Sequence, residues 1–68
     1  MKIFYDKETD SAYIELSQEA PTGVVEVSDG VNIDTTDNNK IVGIELLNAS
    51  TKFSVDTLFR LEVDPAIQ

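Results

Sequence analysis

Cysteine and histidine are both absent from this 68-residue chain. Without cysteine there is no disulfide, no thiolate zinc site and no thiol nucleophile. Without histidine, the commonest general base and the commonest metal ligand are missing as well. Glycine is scarce: Gly23, Gly30 and Gly43 stand alone, so no glycine-rich phosphate loop exists. Ser11, Ser17, Ser28, Ser50 and Ser54 have no evident base to activate them. These absences argue against an enzyme, and no catalytic residue, cofactor or metal site is expected.

Positive charge is the next shortage. Thirteen acidic residues oppose five basic ones, for a net charge of −8, and Lys2, Lys7, Lys40, Lys52 and Arg60 are scattered. Phosphate neutralisation supplies most non-specific nucleic-acid affinity, so nucleic acid is not an expected partner. Anionic membrane surfaces are disfavoured for the same reason. A basic protein would be attracted and steered by this charge. Acidity also maintains solubility where no partner exists.

Long apolar runs are missing too, with nothing near the roughly 20 residues that cross a bilayer. The opening Met1-Lys-Ile-Phe-Tyr-Asp lacks the pattern of a secretory leader, which makes the cytoplasm the expected location. Residues 1–68 read as one domain. A domain this short buries only about 60% of its unfolded-chain surface. Without staples, it is expected to bury more against another copy, as a homodimer.

What remains is patterned as strands. Residues 2–6 and 12–17 are short aromatic and β-branched segments around the polar Lys7-Glu-Thr-Asp10, which reads as a hairpin. Ile3 and Tyr5 share one face of the first strand; Ala12, Ile14 and Leu16 share one face of the second. Gln18-Glu-Ala-Pro-Thr-Gly23 is a loop. In residues 24–35, Val25, Val27, Val31 and Ile33 share one parity, while Glu26, Ser28, Asn32 and Asp34 share the other. A two-residue hairpin turn at Asp29-Gly30 would set Val27 opposite Asn32 and Glu26 opposite Ile33, mixing the faces. Parity therefore predicts one long strand, bent at Asp29-Gly30, its first half paired with the second strand and its second half with the fourth. Residues 41–47 form that fourth strand, after a turn in which Asn38-Asn39 tolerates left-handed backbone.

Beyond it the period becomes helical. Ser54 suits an N-cap and Asp56 the first turn, with Val55, Leu58 and Phe59 at helical spacing and Pro65 as a stop. The expected fold is α+β: an antiparallel four-stranded meander and one short helix over residues 54–62. That helix covers the sheet's apolar face, with Phe53, Leu58 and Phe59 closing the core, and residues 64–68 form a loosely held tail.

Phe4, Tyr13, Val24, Ile41 and Leu47 fall on the side opposite this expected core. Isolated exposed apolar residues are ordinary, but five on one small sheet make a candidate contact surface. A homodimer through this outer face, or through a sheet edge, is the matching expectation.

Two carboxylate features stand out. Asp29 has core-face parity: buried, its pKa would rise and it would suit acid–base work. At a bend beside Gly30 it would instead bond neighbouring amides, the preferred reading. The run from Asp34 to Glu45 superficially fits a calcium loop, with Asp34, Thr36, Asn38 and Glu45 at ligand positions and Ile41 at the apolar one. Asn39 stands where such a loop requires glycine, and the flanks read as strands, so a solvated hairpin tip is preferred.

Several blocks, taken in order and spacing, form a pattern: Met1-Lys-Ile, Tyr5-Asp6, Asp10, Ala12-Tyr-Ile14, Leu16, Asp29-Gly-Val31, Asp34, Val42-Gly-Ile-Glu45 and Ala49-Ser50. Over residues 1 to about 50 this resembles the small prokaryotic domain-of-unknown-function family 2283. The C-terminal part departs more from that pattern. The resemblance implies a small protein with no assigned activity and no residues whose roles carry over. It further implies, for some relatives, genes beside small basic toxin-like proteins and hence an antitoxin role. The expectation is a protein-interaction module, antitoxin-like toward a basic partner. The alternative is a small-molecule or metal-binding module using the hairpin from Asp34 to Glu45.

Overall fold

The computed structural model describes residues 1–67; the last residue of the expected tail, Gln68, lies outside them. Five antiparallel strands form one sheet: β1 (Lys2–Asp6), β2 (Ser11–Glu15), β3 (Gly23–Ser28), β4 (Val31–Thr35) and β5 (Ile41–Leu46). Their order is β1-β2-β5-β4-β3, so β5 lies centrally and the β2–β3 connection crosses to the far edge. The first hairpin agrees with the sequence pattern. The long bent strand and the simple meander do not.

Residues 24–35 are two strands joined by a turn at Asp29-Gly30, with Gly30 at φ 74°. The parity objection to that hairpin is removed by a β-bulge. Ser28 pairs with Val31 and Glu26 with Asn32, leaving Val27 as an extra residue between them. One inserted residue restores the alternation, so Val25 faces Ile33 and Glu26 faces Asn32. With β3 folded back on β4, the partner left for β2 is β5, where Ile14 meets Ile44. A second irregularity lies in β5: Asp34 pairs with Gly43 and Thr35 with Ile41, leaving Val42 extra. The Val42 carbonyl accepts bonds from the amides of both Leu16 and Ser17, at 2.8 and 3.0 Å.

The expected helix over 54–62 is instead a 3-10 turn, Val55–Phe59, with two further short turns at Ala49–Thr51 and Pro65–Ile67. Ser54 occupies the N-cap position without a side-chain capping bond. Val55 and Thr57 are β-branched, and so short a segment needs tertiary packing to become a helix. That packing is slight: Phe53 and Leu58 are half-buried, but Phe59 is exposed and no residue of the turn is buried.

Cross-strand pairing divides the side chains between two faces. Ile3, Ile14, Ile44, Ile33 and Val25 form one row of the inner face, and Tyr5, Ala12, Leu46 and Val31 form the next. The outer face carries Phe4, Tyr13, Glu45, Asn32 and Glu26 in one row. Lys2, Glu15, Gly43, Asp34 and Val24 make another. Among the described residues no helix is long and apolar enough to cross a membrane.

Candidate functional site

The outer face is built around an aromatic side chain laid across a glycine. Tyr13 on β2 reaches over Gly43 on β5, and its hydroxyl donates to Asp34 Oδ2 on β4 at 2.9 Å. A Cβ on Gly43 would run into the Tyr13 ring and hydroxyl and come within 2.9 Å of the Ile14 carbonyl oxygen. Glycine stands there to let the hydroxyl end of the ring pass close over the strand. Burial and the bond to Asp34 push the Tyr13 phenol above its ordinary pKa, and the surrounding carboxylates act in the same direction. Beside it, Asn32 Nδ2 donates to Glu45 Oε1 at 3.0 Å.

The acidic residues collect on this face. Asp6, Glu15, Glu26, Asp34 and Glu45 all share it, and Lys2 is the one strand cation among them. Lys2 Nζ sits 5.0 Å from the centre of the Phe4 ring, within the range of a cation–π contact. Along β1 and β2 the surface opens into a groove of about 430 Å³, whose lining includes Phe4, Asp6, Ser11, Tyr13 and Glu45. Two aromatic rings flanked by two carboxylates offer a cation both a π face and a charged acceptor.

A second tyrosine–aspartate pair works on the inner side. Asp10 has left-handed backbone, φ 54°, and closes the β1–β2 turn. Its Oδ1 accepts from the Tyr5 hydroxyl at 2.8 Å, and its Oδ2 from Ser50 Oγ at 2.7 Å. Its carbonyl accepts from the Ala49 amide at 2.9 Å. The Ser50 and then the Tyr5 bonds hold the Asp10 carboxyl below the usual carboxylate range. The bond to Asp10 raises the Tyr5 phenol. Asp10 thus ties the first hairpin to the turn after β5, where Ala49 is fully buried.

The five residues expected to form a contact surface do not form one patch. Phe4 and Tyr13 are cross-strand partners in the groove. Val24 shares their face, but on edge strand β3, beyond β5 and β4 and past Glu45, Asn32 and Glu26. Ile41 pairs with Thr35 and so falls on the inner face, because the Val42 bulge reverses its parity. Leu47 lies just past β5, its amide bonded to the Gly30 carbonyl. Of the acidic residues on this face, Glu26 has the polar parity that the sequence shows and Glu45 is expected only as a calcium ligand; Asp6 is marked by its parity with Phe4.

The other two features are also placed. Asp29 is exposed at its turn, so core parity misassigns it. In the hairpin from Asp34 to Glu45, Asp34 is engaged by Tyr13 and Glu45 by Asn32. Thr36 Oγ1 accepts from the Asn38 and Lys40 amides, which closes the tip as an ordinary turn, with Asn39 at φ 60°. Among the described residues, no three acidic side chains are grouped as metal ligands.

A five-stranded antiparallel sheet with one acidic, aromatic-bearing face defines the class of domain. The chain belongs to the family described as Protein of unknown function (DUF2283), whose match spans residues 2–50. No curated protein and no solved structure matches the chain. Tyr5, Asp10, Tyr13, Asp34, Gly43, Ala49 and Ser50, which build the two tyrosine–aspartate ties, all lie within the matched span.

Proposed function

We propose that this domain is a protein-interaction module that takes a basic segment of a partner protein on its outer face. The observation that carries the reading is the groove in which Phe4 and Tyr13 lie between Asp6 and Glu45. An arginine or lysine entering it would stack on an aromatic ring and donate to a carboxylate, two interactions that reinforce one another once water is excluded. The remaining outer carboxylates would steer a basic segment toward the groove. Lys2 over Phe4 marks where a cation from the partner would compete. Such a face suits the neutralising member of a toxin–antitoxin pair, covering the basic working surface of its target; the net charge of −8 supports that role.

Titration of arginine-containing peptides by calorimetry tests the reading. Binding that weakens as salt rises, and that is reduced in Phe4→Ala, is the expected result. Equal heats for basic and neutral peptides would refute it.

A further inference from the structure

The inner face has no adequate cover within one chain. Its strand residues carry no charge, and Ile3, Ile14, Val25, Ile33, Ile44 and Leu46 make most of it apolar. Yet no large side chain among the described residues is fully buried, and the buried core amounts to Ala12, Val42 and Ala49. Phe59, expected to close the core, is 79% exposed, and Leu61 and Val63 after it are 75% and 79% exposed. Alternating with Arg60, Glu62 and Asp64, these residues have the pattern of a strand with one apolar side.

The accessible area measures the deficit. A folded monomer of 7.5 kDa is expected to expose about 4,200 Å². This chain exposes 5336 Å², an excess of about 1,100 Å² over that scaling. A standard protein interface removes about 800 Å² from each partner. One interface of ordinary size would therefore bring the chain to the exposure of a typical folded protein.

Charge decides where a second copy can sit. Each chain carries −8, and the outer face holds five carboxylates, so two copies meeting there would repel. Meeting through the inner faces, whose strand residues carry no charge, they would keep every outer carboxylate in water. We infer that the chain forms a homodimer in which the inner sheet faces stack as a two-layer sandwich, with residues 59–63 of each copy packing on the other. Stacked sheets sit about 10 Å apart, and this arrangement leaves both outer faces free. The inference is independent of the proposed function, which concerns the opposite face.

Sedimentation equilibrium from low-micromolar to near-millimolar concentration tests it. The expected mass is twice 7.5 kDa. Val25 and Val24 are neighbours on β3, 53% and 64% exposed, and point to opposite faces. Val25→Glu should weaken association by at least about tenfold, whereas Val24→Glu should leave it unchanged. Leu61→Glu supplies a second disruption that does not touch the sheet. A monomer at every concentration would overturn the inference, whether the face then serves another protein or none. So would dissociation by Val24→Glu that matched Val25→Glu, because the interface would then lie at the edge or the outer face.

Discussion

The Tyr13 hydroxyl donates to Asp34 across Gly43, so one side chain spans three neighbouring strands, β2, β5 and β4. β2 is far in sequence from β4 and β5, and its pairing with β5 joins the first hairpin to the rest of the sheet. A domain without closed-core packing depends correspondingly more on such ties. Tyr13→Phe removes the bond while keeping the ring and should cost about 1 kcal/mol in urea unfolding.

Gly43→Ala should cost more, about 1–3 kcal/mol, because the added methyl meets both the Tyr13 ring and the Ile14 carbonyl. Part of that cost belongs to the ring. In a Tyr13→Ala background the Gly43→Ala penalty should shrink, leaving the share due to the backbone carbonyl. Equal penalties in the two backgrounds would show that the ring does not fix the glycine.

Asp10 gives stability a dependence on pH. Its carboxyl titrates below the ordinary range in the fold, so its contribution is complete above the unfolded carboxylate pKa. It is lost as pH falls from there through the lowered folded value. The raised tyrosines act at the other end. Tyr5 and Tyr13 favour the protonated phenol in the fold, so their contribution is complete below a pH of about 10 and lost as pH rises through their folded values. Melting temperature against pH should fall at both limits, and Asp10→Asn should flatten the acid limb.

Deletion of Val27 should be tolerated. The residue is exposed and unpaired in the bulge, and its removal leaves Ser28 opposite Val31 and Glu26 opposite Asn32 across a regular two-residue turn. The expected change is under about 1 kcal/mol. Deleting Val25 instead would carry Val24 onto the inner face and should lower the melting point substantially.

Much of the sheet was legible in the sequence because alternation reports which side chains share a face. The inner row of Ile3, Ile14, Ile33 and Ile44 and the first hairpin follow from it directly. Topology did not follow, because a bulge at Val27 changes parity without leaving a mark that periodicity can register. The same effect at Val42 moved Ile41 from the outer to the inner face. The C-terminal helix failed for a different reason. Val55, Leu58 and Phe59 have helical spacing, but a segment so short becomes a helix only when its apolar side is packed. The outer groove was half legible: Phe4 and Tyr13 were marked as exposed apolar residues. The pairing of Tyr13 with Glu45 that completes the groove depends on β2 lying beside β5.

The proposed function requires the outer face, around Phe4 and Tyr13, to receive a basic protein segment. Backbone amide mapping by heteronuclear NMR, during titration with an arginine-rich peptide, tests this most directly. The predicted shifts concentrate at Phe4, Asp6, Ser11, Tyr13 and Glu45, and fade as salt is added. Shifts centred instead on edge strand β3, or no shifts at any peptide concentration, would contradict the claim.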